Sequence, residues 1–378
     1  MIPLFKVFMS EKVLKPLNEV LMSGFIGQGP KVEEFEKLLK EHFHNHLLVT
    51  TNSATASDHL ALHLLRKPYQ DWQGMEEGDE VLATPLTCTA TNWPILANGY
   101  KIKWVDVDPA TCNMDLDDLE RKITKKTKAI LVVHWGGNPV DLDRLKEIQK
   151  NTKELFGFKP AIIEDCAHSF GTKFNGELLG NHGNLAFYSF QAIKHFTCGD
   201  GGILILPHQE LYNRAKLLRW YGIDRETNSK DFRCEDDISE WGYKFHMNDI
   251  NAVMGIHNLP EALGNIQKHH DNAEFYQKEL QGVEGVTLLT RDPRAWSSDW
   301  IYTIKVKDRD KFMRHMSDKE IMVSRVHERN DKHSCVSEFK TFLPNLEKVS
   351  SEMICIPNGW WVSEKDRQYI VDCIKEGW

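Results

Sequence analysis

Apolar positions along this chain follow two rhythms. Short contiguous apolar runs read as strands: LLVTT from Leu47, EVLATP from Glu80, KIKWVDVD from Lys101, KAILVVH from Lys128, PAIIEDCA from Pro160, NLAFYSF from Asn184 and GGILILP from Gly201. Between them, apolar residues recur at helical spacing. Val32 to His42 predicts an amphipathic helix opened by Gly29-Pro30, SATASDHLALHLL a helix entered through a turn of small residues, MDLDDLERKI a polar helix with Asp115 at its start, and DLDRLKEIQKNTKEL another helix. Strands that are apolar throughout, rather than alternating, are buried on both faces. The expectation is therefore an α/β domain with a mostly parallel, mixed sheet flanked by helices. After about Pro260 the rhythm changes to a long polar helix, Glu261 to Leu280, and a smaller α+β segment with strand candidates VTLLT and WIYTIKV. A large domain over 1–258 and a small one over 259–378 follow, with the boundary between Gly255 and Asn265.

A length of 378 residues fits two domains. The formal net charge of −8 carries no basic footprint, which argues against nucleic acid as a partner. No apolar run approaches the roughly 18 residues a membrane helix needs. The start, MIPLFKVFMSEK, lacks the features of a secretory signal. The eight cysteines include no CxxC pair, so neither a metal site nor a disulfide framework is predicted. A cytoplasmic protein with free thiols is the expectation.

Candidate chemistry gathers just past the carboxyl ends of the predicted strands, where α/β sheets bind ligands. Asp165 closes the apolar run AIIED, and a carboxylate there needs a cation or strong donor; a helix cap is the plainer alternative. A protonated pyridine nitrogen is such a donor, and it turns the ring into an electron sink. Lys194 follows LAFYSF and precedes Gly199, Gly201 and Gly202, a context in which a lysine can lose its proton and form a Schiff base. Ser189 lies five residues earlier and offers a hydroxyl to a phosphate. Ser53, Ala54, Thr55 and Ala56 form a helix start with free backbone N–H groups that can cradle an anion, although taken alone the segment reads more readily as an ordinary cap. His168 is near enough to Asp165 to touch the same ring. Together these groups fit pyridoxal phosphate (PLP).

With these pieces in order, the chain resembles the DegT/DnrJ family of sugar-nucleotide aminotransferases. The resemblance runs through GQGPKVEEFE, NSATASDHLAL, VDVDPATCNMD, VVHWGGNPVDLD, IEDCAHSFGTKFNG, YSFQAIKHFTCGDGG, GYKFHMNDINAVMG and VSRVHERNDKH. It implies an aspartate-aminotransferase-like fold (fold type I), Lys194 bonded to the cofactor, and Asp165 on the pyridine nitrogen. It further implies Ala54, Thr55 and Ser189 on the phosphate, His168 near the ring hydroxyl, Gly27 and Gly29 at the nucleotide-sugar entrance, and His327 near the substrate. The implied partners are a nucleotide-linked keto-deoxysugar, of the 4-keto-6-deoxyhexose kind, and glutamate as amino donor. The implied assembly is a homodimer with shared sites, in which Lys244 reaches the neighbouring subunit's cofactor.

Three positions depart from the family pattern. The residue that stacks on the ring is usually aromatic but falls on Cys88 in PLTCTAT, where Trp93 is the candidate to compensate. Lys244 stands in place of a common Asn, and His195 follows Lys194 where Asn is common. Two rival readings stay open at this stage. One is a PLP-dependent sugar dehydratase, whose relatives carry histidine at the lysine position; the other is a non-catalytic sensor or scaffold.

Overall fold

The computed structural model describes residues 1–225 and 237–378. All seven predicted strands join one sheet in the order Leu48–Thr51, Gly202–Ile205, Leu185–Ser189, Ala161–Asp165, Thr127–Val133, Glu80–Ala83, Lys101–Trp104. Gly202–Ile205 is antiparallel to both neighbours, while the other pairs are parallel. Six strands therefore end at one edge, and the glycine end of the seventh starts there.

The contiguous apolar runs are explained by two cores, one on each face. Ala129, Leu131 and Val133 enter one core, while Ile130 and Val132 enter the other. The same alternation separates Asp165 from Glu164. Glu164 lies on the opposite face, where it accepts from Asn184 (2.7 Å) and pairs with His134 Nε2 (3.0 Å). Because His134 Nδ1 accepts from Val140 N–H (3.1 Å), the ring proton sits on Nε2 and points at Glu164. Burial pushes the Glu164 carboxyl up, but those hydrogen bonds outweigh it and leave it below its usual range. This acid is fully used inside the core.

Helix boundaries follow their caps. Asp115 accepts from Asp117 and Asp118 N–H at the start of Leu116–Lys122, and Asp141 does the same for Leu142–Phe156. Pro30–Phe43 buries Val32, Phe35, Leu39 and Phe43 as its periodicity predicts. Its start has no side-chain cap of its own. Asp249, from a distant helix, accepts from Gly29 N and Val32 N instead.

The C-terminal part differs from expectation. One helix, Asp249–Glu279, begins twelve residues before the predicted Glu261, capped by Asn248 on Asn251 N–H, and it carries Pro260 inside. The expected boundary at 258/259 thus falls within an unbroken helix. A third core takes residues from Ala273 onward and includes Ile304, Phe312, Ile354 and Val371, with Ile2 packed against it. Its sheet contains both predicted strands, as Val286–Leu288 and Tyr302–Val306, and adds Met353–Ile356. That last strand follows its helix with no turn to announce it. The small sheet of Lys173–Phe174, Glu177–Leu178 and Ala295–Trp296 was likewise not anticipated. Among the described residues no helix is long and apolar enough to cross a membrane, and the seven described cysteines are free.

Candidate active site

The site forms at the edge where the six strands end. Asp165 terminates its strand and is 4% exposed. Its Oδ1 accepts from Ala167 N–H (2.9 Å), and its Oδ2 accepts from the Thr91 hydroxyl (2.7 Å). Burial raises the Asp165 pKa, while those two hydrogen bonds and the charge of Lys194 oppose the rise. Thr91 is one turn into the helix Thr89–Ala97, whose N-cap is Cys88. Sequence reading missed Thr91, although its three-residue spacing from Cys88 puts both on one helix face.

Lys194 sits in the turn after Leu185–Ser189, its N–H bonded to Gln191 O (3.0 Å). Burial lowers its pKa to about 7, against the opposing charges of Asp165 and Cys88. Its Nζ lies 3.4 Å from the ring centroid of Trp300, whose indole N–H is anchored on Ile193 O (2.8 Å). The indole beside Lys194 is therefore Trp300 and not Trp93, which packs edge-on to His333 instead. No local motif marks Trp300, which comes from the C-terminal part of the chain. His195 turns elsewhere: its Nε2 meets Ser298 O (2.9 Å) and its ring packs on His269. Of the two adjacent residues, the lysine is the one near Asp165.

His168 and His327 form a directed pair. Gly136 N–H donates to His168 Nδ1 (3.3 Å), so His168 carries its proton on Nε2, which faces His327 Nε2 at 3.3 Å. The ring planes are nearly parallel, 6° apart. Burial first, and then the Lys194 charge, holds both neutral: His168 well below its usual range and His327 at about 3. His327 must then accept at Nε2 and keep its proton on Nδ1.

The turn of small residues is shaped by close approach. Ser53 Oγ accepts from Ala56 N–H (3.1 Å), leaving Ala54 and Thr55 N–H at the helix start without intrahelical acceptors. Gly202 pairs with both Thr51 and Ser189 across the sheet. A Cβ on Gly202 would lie 2.6 Å from Ala54 N and 2.8 Å from Tyr188 O. Gly202 thus makes room for the turn of small residues, and its pairing holds Ser189 beside Ala54 and Thr55.

Three predicted residues stand apart from this cluster within the protomer. Gly27 and Gly29 bond to Asp249 through Gly27 O and Gly29 N. Lys244 has an exposed side chain, and its carbonyl accepts from Asn52 Nδ2 (3.1 Å), two residues before Ala54.

Comparison with known proteins identifies the family. The model of the DegT/DnrJ/EryC1/StrS aminotransferase family matches residues 8–375. The crystal structure of AtS13 from Actinomadura melliaura is 51% identical with a TM-score of 0.95, covering 100% of this chain and 99% of that one. The sugar aminotransferase CalS13 from Micromonospora echinospora is 45% identical, again with a TM-score of 0.95, covering 100% of both chains. GDP-perosamine synthase from Escherichia coli O157:H7 is 30% identical over 99% of this chain and 98% of its own.

Proposed function

Since the chain belongs to the DegT/DnrJ/EryC1/StrS aminotransferase family, we propose that it moves an amino group from glutamate to a nucleotide-linked 4-keto-6-deoxyhexose. It is a PLP-dependent sugar aminotransferase with the family's α/β fold. The observation that carries the proposal is Lys194 beside Asp165, with the lysine pKa brought to about 7. The relative named for GDP-perosamine supports a nucleotide-linked substrate.

The residues present fit the cofactor. Ala54 N–H, Thr55 N–H and Ser189 Oγ offer donors at one edge for its phosphate, Asp165 offers a buried acceptor, and Cys88 lies near Lys194. When bound, PLP supplies an aldehyde for amines and a ring that withdraws electrons from the attached carbon. Lys194 Nζ, neutral in a large fraction at pH 7, would hold the aldehyde and, once displaced by the donor amine, would move the proton between the donor's α-carbon and the cofactor carbon, and in the opposite sense for the sugar. Asp165 would keep a proton on the ring nitrogen. His327, with its proton on Nδ1, would be the donor for a sugar oxygen.

Glutamate should bleach the visible band of the yellow protein, and a nucleotide-linked 4-keto-6-deoxyhexose should restore it with an aminated product by mass. Completion of the cycle by free amino acids and keto acids alone would overturn the sugar assignment.

The assembly we propose is a homodimer with shared sites. Leu14, Leu21, Met22, Phe25 and Ile26 are exposed on the protomer, a run of apolar surface that suits an interface. A cofactor phosphate carries about −1.5 to −2 charges, and neither backbone N–H nor Ser189 brings a full positive charge. The exposed Lys244 would supply one to the partner's cradle. Lys194→Ala and Lys244→Ala chains, each inactive, should regain part of the activity when mixed, because a mixed dimer holds one intact site. No recovery despite demonstrated subunit exchange would place both lysines in the same subunit's site.

A further inference from the structure

The turn over residues 297–300 reaches the site from the C-terminal part of the chain and grips both neighbours of Lys194. Trp300 donates its indole N–H to Ile193 O (2.8 Å), and His195 Nε2 meets Ser298 O (2.9 Å). Between these anchors Lys194 Nζ lies 3.4 Å from the centroid of the Trp300 ring, in contact with its face. Among the described residues Nζ makes no hydrogen bond and no ion pair, so the indole is its close partner.

The ring is held firmly in place. Trp300 is 1% exposed, with Phe5 stacked on it at 5.4 Å between centroids and His168 packed at 4.2 Å. Asp299, the residue before it, has a left-handed backbone (φ 49°), which costs energy in a residue other than glycine. Its contacts over-determine that conformation. The Asp299 carboxylate accepts from the Ser297 hydroxyl (3.0 Å) and Arg291 (2.8 Å), and its carbonyl accepts from Asn358 Nδ2 (2.6 Å).

An amine that moves protons exists in two forms, a neutral base and an ammonium. A carboxylate in contact with it would keep it protonated, and an aliphatic wall would give the ammonium no support. An indole face does neither. It attracts a cation but offers no oxygen to hold the proton. Of the other groups acting here, Asp165 and Cys88 favour the charged amine without touching it. His168, His195 and His327 are held neutral, chiefly by burial, and so do not repel it.

We propose that the indole face of Trp300 is the seat on which the Lys194 amine rests when it is not bonded to the cofactor, supporting it both as neutral base and as ammonium. This rests on the reading that Lys194 holds the cofactor and carries the proton.

The test is the pH dependence of Lys194 acylation by acetic anhydride, followed by peptide mass spectrometry. The full-length protein is loaded with pyridoxamine phosphate, the cofactor form that leaves the lysine unbonded. Mono-, di- and trifluorinated tryptophan placed at position 300 keep the ring shape and the N–H to Ile193 O while weakening the negative face in steps. The acylation midpoint should fall along that series, by about half a pH unit in total, as the ammonium loses support. Trp300→Leu should lower it by about one pH unit. A midpoint that stays flat across the fluorinated series would overturn the proposal, and that series stands even if the leucine variant fails to fold. Borohydride labelling tests the underlying reading separately. A label away from Lys194 removes the lysine from the reaction, whereas a label on Lys194 with a flat midpoint removes only the seat.

Discussion

Lys194→Ala is expected to lose essentially all turnover, by more than about 10⁴-fold, because one amine serves as both the cofactor's attachment point and the proton carrier. General acid–base catalysis alone contributes about 10² to 10⁴, and the covalent role adds to it. Borohydride treatment of the yellow wild-type protein should fix the cofactor to the peptide containing Lys194. A label on another lysine, or on none, would sink the mechanism. Lys194→Arg should be as inactive as alanine, since a guanidinium keeps its proton and cannot form the bond. The pH dependence has a definite sign. Burial lowers the Lys194 pKa to about 7 in the absence of cofactor. The cofactor's rate of attachment to the cofactor-free protein should therefore be low below pH 6, rise through about 7 and level off above 8. A rate still rising at pH 9 would show an ordinary, solvated lysine.

Asp165→Asn should cost roughly 10² to 10⁴ in kcat while leaving the fold intact. Removing one partner of a buried charge pair costs roughly 3–5 kcal/mol, and each 1.4 kcal/mol is about tenfold in rate. An amide of the same shape can still accept from Ala167 N–H through its oxygen, while its NH2 would donate to the Thr91 oxygen instead of accepting from it, and it holds no proton on the ring nitrogen. The loss should therefore fall on kcat for both half-reactions, with stability changed by less than about 2 kcal/mol. Thr91→Ala is the companion variant. It removes the 2.7 Å hydrogen bond to Asp165 Oδ2 and should reduce kcat by roughly tenfold. Single-turnover kinetics with glutamate alone reads both effects. An Asp165→Asn protein that turns over at the wild-type rate would remove Asp165 from the mechanism.

Local pattern determined much of this molecule. The seven large-sheet strands are visible as apolar runs because a parallel sheet covered on both faces leaves no position for polar alternation. The caps at Asp115 and Asp141 are visible because a side chain satisfies its own helix start. Lys194, Asp165, Ser189 and the Ala54–Thr55 turn are visible because each follows a strand, and strands running one way bring their ends to one edge.

Tertiary structure decided the remainder, wherever the deciding partner is far away in sequence. The helix from Asp249 was cut short in prediction because Pro260 resembles a helix start, whereas Asn248 caps it and its first turns pack on Pro30–Phe43. The cap of that second helix is Asp249 itself, more than 200 residues away. Trp300 under Lys194, Thr91 on Asp165 and the His168–His327 pair join segments that no periodicity connects.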